Sequence, residues 1–307
     1  MQPQGLQYLR EQLSISKALL FTLLGRRRGF FIPYPYIAGV PAPAPSYPEL
    51  ERLFAAAPIA EFAEEIGRWR ETLGNLSGPH APALNTRMFP ALDAVACYAA
   101  VRHFKPKRVL EIGCGSSTHV LARALKDAGS GRLTCIDPAP RRDISQLDLT
   151  LERRTLAISD ADLAGEMEAG DILFIDSSHV MMPGMDVDIQ FNRMFPRLKP
   201  GVLVHLHDIF LPDDYPDRWE RRGYNEQNAL IAWILSGFFE VVWPGYYVLS
   251  RHRDIAESLL AGVAPLAGAG SIWLRRAKTQ DKRSSVIERF GVGKLQDEPS
   301  DPGRRSP

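Results

Sequence analysis

The chain has 307 residues, 45% of them hydrophobic and 24% charged, which is the mix of an ordinary folded chain and excludes disorder as its main state. Lys and Arg number 37 against 36 Asp and Glu, a formal net charge of +1, without the basic field of a dedicated nucleic-acid binder. Cys97, Cys114 and Cys135 have neither CxxC nor CxxxC spacing; they suit a reducing cytoplasm better than a disulfide framework or a structural zinc motif.

Residues 1–28 read as a helix that stops at Gly25. Its apolar run ISKALLFTLL (15–24) is about half of the ~20 residues needed to span a bilayer. Arg26, Arg27 and Arg28 follow where a secretory signal would carry its cleavage site. Stable membrane insertion is therefore not expected. Such a helix lies on a membrane surface, docks on the main domain, or pairs with a second copy to form a homodimer. Prolines at 33, 35, 41, 43, 45 and 48 make the next stretch a stiff extended strap. Phe30, Phe31, Tyr34 and Tyr36 either lie over a groove or staple the strap to a surface. Leu50, Leu53, Phe54, Ile59, Phe62, Ile66 and Trp69 recur at helical spacing within 48–73. NLSGPHAP (75–82) is a breaker cluster that includes His80. Residues 1–84 are thus expected to form a helical and proline-rich cap.

From there, strands and helices alternate, the pattern of a parallel α/β sheet. Helices are predicted at 90–103, 117–128, 186–198 and 225–236. Strands are predicted at 108–112, 132–136, within 150–157, and at 171–175, 202–206, 239–243 and 271–274. Ser116 or Ser117 is the expected cap of the second of these helices. From about residue 277 the chain is charged, rich in Ser and Pro and poor in large apolar residues, so 277–307 is expected to be disordered.

The segment VLEIGCGSSTHVLARAL (109–125) runs from an apolar strand through Gly113-Cys114-Gly115 into a helix. Glycines there allow a sharp turn and a close backbone approach, and the helix start behind them offers unpaired N–H groups to an anionic ligand. A dinucleotide site would carry a third glycine at position 118, which is Thr118. The E-x-G-x-G form, with Glu111 leading it, resembles motif I of class I S-adenosylmethionine-dependent methyltransferases. That resemblance implies that Glu111, Gly113, Cys114, Gly115 and Ser116 surround the methionine end of S-adenosylmethionine. Asp137 ends the second strand, placed to accept bonds from ribose hydroxyls in either kind of cofactor, or simply to cap the turn before Pro138. By family position, Ser159 and Asp160 neighbour the adenine, and Asp176 also borders the cofactor.

A second constellation sits past the fourth and fifth strands. Asp176 and His179 follow GDILFI; His207 and Asp208 end GVLVHLHD, with His205 two residues earlier. Adjacent strands lie about 4.8 Å apart, so these loops converge where open α/β sheets bind ligands. Two carboxylates and an imidazole suit Mg²⁺ or another divalent cation, and His179 suits a general base at neutral pH. Structural alternatives are loop caps and a satisfied loop histidine. FIDSSH, RLKPGVLVHLHDIFLPDDYP, YNEQNALIAWIL and SIWLRR look like a bacterial group of class I methyltransferases distantly related to macrocin-type O-methyltransferases. The likeness covers about 85–276, and the FIP-x-Y strap belongs with it. In macrocin-type enzymes a D-x-x-H motif supplies a metal ligand and the base, and an acidic pair after strand five supplies the other ligands. Here that implies His179 as base and Asp176, His207 and Asp208 as metal ligands, with His207 standing where the family has an acid. Tyr215, Trp219, Arg221 and Arg222 fall on a segment over the same rim, a lid or substrate wall, and Asn225-Glu226-Gln227 either belongs to it or only starts a helix.

The expected fold is therefore a Rossmann-like, doubly wound, seven-stranded, mostly parallel sheet at 85–276 with an N-terminal helical extension. The expected activity is cytoplasmic O-methylation of a small-molecule acceptor, with no nucleic-acid partner. The alternatives are an NAD-dependent oxidoreductase and a non-catalytic binder of an adenosine-containing ligand.

Overall fold

The computed structural model describes residues 3–26, 29, 34–40, 46–76, 82–84 and 88–278. His80, Phe30, Phe31 and the tail beyond 278 lie outside the described residues, as do most of the strap prolines. The chain divides into two compact units, Met1–Pro43 and Ala44–Pro307. In the first, α1 (Pro3–Leu23) ends where Gly25 takes φ +78°, and a short 3₁₀ turn spans Ile37–Gly39. No helix among the described residues is long and apolar enough to cross a membrane.

The second unit begins with α2 (Pro48–Ala55) and α3 (Ile59–Gly74). The sequence periodicity predicts one helix here. Pro58 divides it, because proline has no N–H for the ladder. Leu50, Phe54 and Ile66 are fully buried and join the main core, so these helices pack as part of the sheet unit. Next, α4 (Ala91–Phe104) is buried along Ala91–Val101. It packs between α3 and α5 (Ser116–Ala128), and for that reason it is apolar nearly all round.

The seven strands are β1 (Arg108–Ile112), β2 (Arg132–Ile136), β3 (Thr150–Glu152), β4 (Ile172–Ile175), β5 (Leu203–Leu206), β6 (Phe239–Pro244) and β7 (Ile272–Arg276). Their order is β3-β2-β1-β4-β5-β7-β6, parallel except that β7 runs antiparallel to both β5 and β6. This is the expected Rossmann-like doubly wound sheet. A dinucleotide fold runs 3-2-1-4-5-6 without an inserted antiparallel strand, which weighs against the oxidoreductase reading. The β4 segment Ile172–Ile175 is buried throughout, as a strand covered on both faces must be.

Three helices lacked a clear signal: α6 (Ala161–Glu166), and, between β6 and β7, α9 (Gly245–Arg251) and α10 (Arg253–Leu260). After β4, the predicted single helix is a short α7 (Asp186–Ile189), a π-helical stretch over Gln190–Met194 and a 3₁₀ turn over Phe195–Arg197. Pro196 cannot donate to the ladder, and the helix changes pitch there. The α8 helix (Glu226–Leu235) follows a 3₁₀ turn over Asp217–Arg222. Strand order reverses at β1, with β2 on one side and β4 on the other. The crevice for a ligand opens outside the carboxyl ends of such a pair.

Candidate active site

The glycine loop leaves β1 at that crevice. Gly113 has φ +87°, and a Cβ there would lie 1.9 Å from the backbone O of Asp176. Its glycine is required by the close approach of the β4 end. Gly115 is different: a Cβ there meets nothing within 4 Å, so the loop is open above it. The cap of α5 is Gly115, not Ser116 or Ser117. Thr118 takes over part of the capping, its Oγ1 accepting the Gly115 N–H at 2.9 Å. Ser117 points instead into the core and donates to Glu111 Oε1 at 2.7 Å, while the Cys135 thiol donates to Glu111 Oε2 at 3.3 Å. Glu111 is fully buried, and that burial pushes its carboxyl up to about 7 despite these bonds. Glu111 braces the loop from beneath. Cys114 and Cys135, far apart in sequence, meet Glu111 there.

Asp137 is half-buried at the mouth of the loop. Its carboxylate accepts the Cys114 N–H and the Ala139 N–H, both at 2.6 Å. It thus joins the tip of β2 to the glycine loop. Asp160 sits otherwise: it pairs with Arg154 at 2.6 and 2.8 Å and accepts the Ala157 N–H at 2.6 Å. That carboxylate is committed to its own loop. Ser159 beside it is exposed.

At the ends of β4 and β5 the four predicted groups do meet. His179 Nε2 lies 3.4 Å from Asp176 Oδ1 and 3.5 Å from Asp208 Oδ2. His207 Nδ1 lies 3.7 Å from Asp176 Oδ1 and 3.5 Å from Asp208 Oδ1. The two imidazoles are buried, whereas the Asp176 and Asp208 side chains keep 29% and 21% of their exposure. The carboxylates are the members that face an incoming ligand. His179 (φ +59°) and Asp208 (φ +57°) both hold left-handed backbone without being glycine, a strain that is found where geometry is over-determined. The His179 carbonyl accepts the N–H groups of Asn225 and Glu226, which fixes that bend to the start of α8.

Two further carboxylates complete the network. Glu226, fully buried, lies 2.8 Å from His179 Nδ1. Asp93, fully buried on α4, accepts the Gly270 N–H at 2.9 Å and the Ser271 hydroxyl at 2.6 Å, and its Oδ2 lies 3.5 Å from His207 Nε2. Asp93 had a readable signal, because a lone carboxylate in an otherwise apolar helix must find a partner. Glu226 carried only its place in Asn225-Glu226-Gln227.

Burial disfavours charge on Asp176, His179, His207, Asp208 and Glu226, and the partners decide the outcome. Burial alone would lower the His179 pKa; hydrogen bonds that its ring donates to Asp176 and Glu226 overcome it and hold it well above the usual imidazole value. His207 is raised in the same way, chiefly by the charge of Asp176. Asp176, despite burial, is held far below the carboxylate range by His207 and His179. Burial raises Asp208 and Glu226. His205 lies flat on Phe174, centroids 3.8 Å apart; burial and the nearby His207 lower its pKa, so it packs as a neutral ring.

The segment before α8 brings Tyr215, Trp219 and Tyr224 together by ring contacts, with Arg222 4.0 Å over Trp219. The Tyr224 ring lies 4.7 Å from His179. The Arg221 side chain lies outside the described residues.

At this rim Asp176, His179 and Asp208 each offer a ligand atom, all within 4.8 Å of one another. His207, expected as a ligand from the sequence, stands outside that set, although its Nδ1 lies 3.7 Å from Asp176 and 3.5 Å from Asp208; its Nε2 lies 3.5 Å from Asp93. Separations of 3.4 and 3.5 Å suit atoms sharing one cation at about 2.0–2.2 Å each. Glu226 behind His179 is the kind of carboxylate that orients a metal-bound imidazole.

Residues 110–209 match a family model described as a methyltransferase domain. No curated protein is similar enough in sequence to match the chain. Among solved structures, the chain is similar to the O-methyltransferase TomG of Streptomyces achromogenes, involved in tomaymycin synthesis and solved with SAM: 17% identity, 75% of this chain and 99% of that one covered, TM-score 0.38. It is similar to an O-methyltransferase of Bacillus cereus solved with SAH, at 17% identity, 75% and 97% coverage and TM-score 0.37. A methyltransferase of Geobacter sulfurreducens gives 18% identity, 78% and 95% coverage and TM-score 0.36.

Proposed function

We propose, from the methyltransferase-domain model that residues 110–209 match, that the chain methylates an oxygen of a small-molecule acceptor with S-adenosylmethionine as donor. The observation that carries the oxygen reading is the His179–Glu226 contact at 2.8 Å. The carboxylates around His179 favour its imidazolium, so it serves as a base only above that raised pKa; there, with Nδ1–H directed at Glu226, the neutral ring presents a bare Nε2 to the rim between Asp176 and Asp208. A hydroxyl placed there can surrender its proton to that nitrogen.

S-adenosylmethionine, when bound, supplies a methyl group on a positively charged sulfur. The residues that fit it are Gly115, open above the loop, the first N–H groups of α5, and Asp137 at the tip of β2. Asp160 and Glu111, committed to Arg154 and to Ser117 and Cys135, act on loop shape. His179 takes the acceptor's proton, and Glu226 steadies the imidazolium that results. The protein's remaining task is to hold the acceptor oxygen in position for the methyl group that the donor would supply. Tyr224 and Trp219 close the acceptor side.

A second reading is favoured by the compact Asp176–His179–Asp208 set. Those residues would hold a divalent cation that lowers the acceptor's pKa, and His179 would then be a ligand, not the base. Calorimetric titration with S-adenosylhomocysteine tests the donor: micromolar binding is expected, and no heat at sub-millimolar ligand overturns the proposal. Titration with Mg²⁺ or Mn²⁺, repeated on Asp176→Asn, separates the two readings. Binding that the substitution removes makes His179 a ligand; no binding leaves it the base.

A further inference from the structure

We infer that the amino-terminal unit, Met1–Pro43, rests on an anionic lipid surface. The near-neutral total charge hides an asymmetry. This unit holds five basic residues, Arg10, Lys17, Arg26, Arg27 and Arg28, against the single acid Glu11. The other 264 residues hold 32 basic against 35 acidic. The unit is therefore cationic on a chain that is otherwise slightly acidic.

Its apolar side chains are also misplaced for water. Among the described residues, 13 large hydrophobic side chains are exposed, and ten of them belong to this unit. Leu13, Leu20 and Leu24, spaced seven and four apart, share one face of α1 and its end, exposed by 64%, 57% and 68%. Leu23 next to them is 75% exposed, and beyond the helix Tyr36 is exposed by 72%. Patches of this kind mark interaction sites. Leucines on a helix, tyrosines beyond it and a basic cluster are what an interfacial helix uses.

Lys17 decides between a bilayer and a second copy of the chain. It lies on the leucine face, between Leu13 and Leu20. Packed against an identical helix, its ammonium would be enclosed among leucines, with only Glu11 in the unit to answer it. On a bilayer, the stem lies along the apolar boundary while the head reaches anionic headgroups. The apolar run is too short to cross, and no helix among the described residues is long and apolar enough to do so, so the contact we infer lies along the surface.

Flotation of the full chain with vesicles tests it. Vesicles of phosphatidylcholine alone and of phosphatidylcholine with phosphatidylglycerol at about 7:3 are compared at low and high salt. Capture is expected only on the anionic vesicles, weakening at least tenfold as screening increases. Each basic residue near such a surface contributes roughly fivefold. Arg26→Gln/Arg27→Gln/Arg28→Gln should thus lose on the order of 100-fold, and Leu20→Asp/Leu24→Asp should abolish capture without altering the melting of the larger unit. No capture on anionic vesicles overturns the inference, as does equal capture on neutral ones. A dimer in sedimentation that Leu20→Asp dissociates, without vesicle binding, assigns the face to a second copy. Should a variant not fold, the lipid and salt comparison on the unaltered chain still decides.

Discussion

The two glycines of the Gly113-Cys114-Gly115 loop should respond oppositely to the same added methyl group. At Gly113, alanine must hold φ near +87° with its Cβ 1.9 Å from the Asp176 carbonyl oxygen. Left-handed backbone costs an alanine about 1–2 kcal/mol, and forcing a methyl into packed backbone about 1–3 kcal/mol more. Gly113→Ala should therefore lose about 2–5 kcal/mol, a fall in Tm on the order of 10 °C. At Gly115 nothing lies within 4 Å of the added Cβ, so Gly115→Ala should melt within about 1 kcal/mol of the parent. Its methyl instead enters the space offered to the ligand, an overpacking of about 1–3 kcal/mol, or about 10- to 100-fold in S-adenosylhomocysteine affinity. Thermal melts and calorimetric titration read the two effects separately. Unaltered affinity in Gly115→Ala would refute the cradle. An unaltered melt in Gly113→Ala would refute the close approach of the β4 end.

Two further outcomes follow from buried carboxylates. Glu111 titrates at about 7 in the fold against a reference of 4.5, so the folded chain holds an extra proton between those values and loses stability as pH rises through them. Relative to the parent, Glu111→Gln should therefore gain about 2–3 kcal/mol between pH 5 and pH 8 in urea unfolding; a pH-independent difference would show that Glu111 does not titrate near neutrality. Once an acceptor is in hand, Glu226→Ala should lower kcat about 10- to 100-fold, with S-adenosylhomocysteine affinity unchanged and Glu226→Gln, which still accepts the Nδ1–H, recovering much of it. Equal loss in both variants would mean that the charge, not the orientation, of Glu226 matters.

The parts readable from sequence were those in which neighbouring residues explain one another. The run from Val109 to Leu125 announces strand, loop and helix because each piece explains the next. Asp176 and His179 are three residues apart on one loop, so their meeting follows from one turn. Asp93 and His207 meet only because α4 packs behind the end of β5, and Glu226 reaches His179 only because α8 begins under it. Such contacts depend on tertiary packing that periodicity does not encode. Asp160 was placed near the adenine by position alone. Its commitment to Arg154 is six residues away in sequence, yet only the folded loop aims the two at each other. The π-helical stretch at Gln190–Met194 shows the same limit: apolar spacing reports the buried face and says little about pitch.

The left-handed backbone at His179 and Asp208 sets a direction for how this protein can change. Each residue costs the fold about 1–3 kcal/mol that a glycine would not. Selection for robustness alone therefore favours glycine at the two positions where glycine would erase the rim. Replacing either residue by glycine would relieve that cost and remove a rim side chain with it, so at these two positions the stability of the fold and the chemistry of the rim pull in opposite directions.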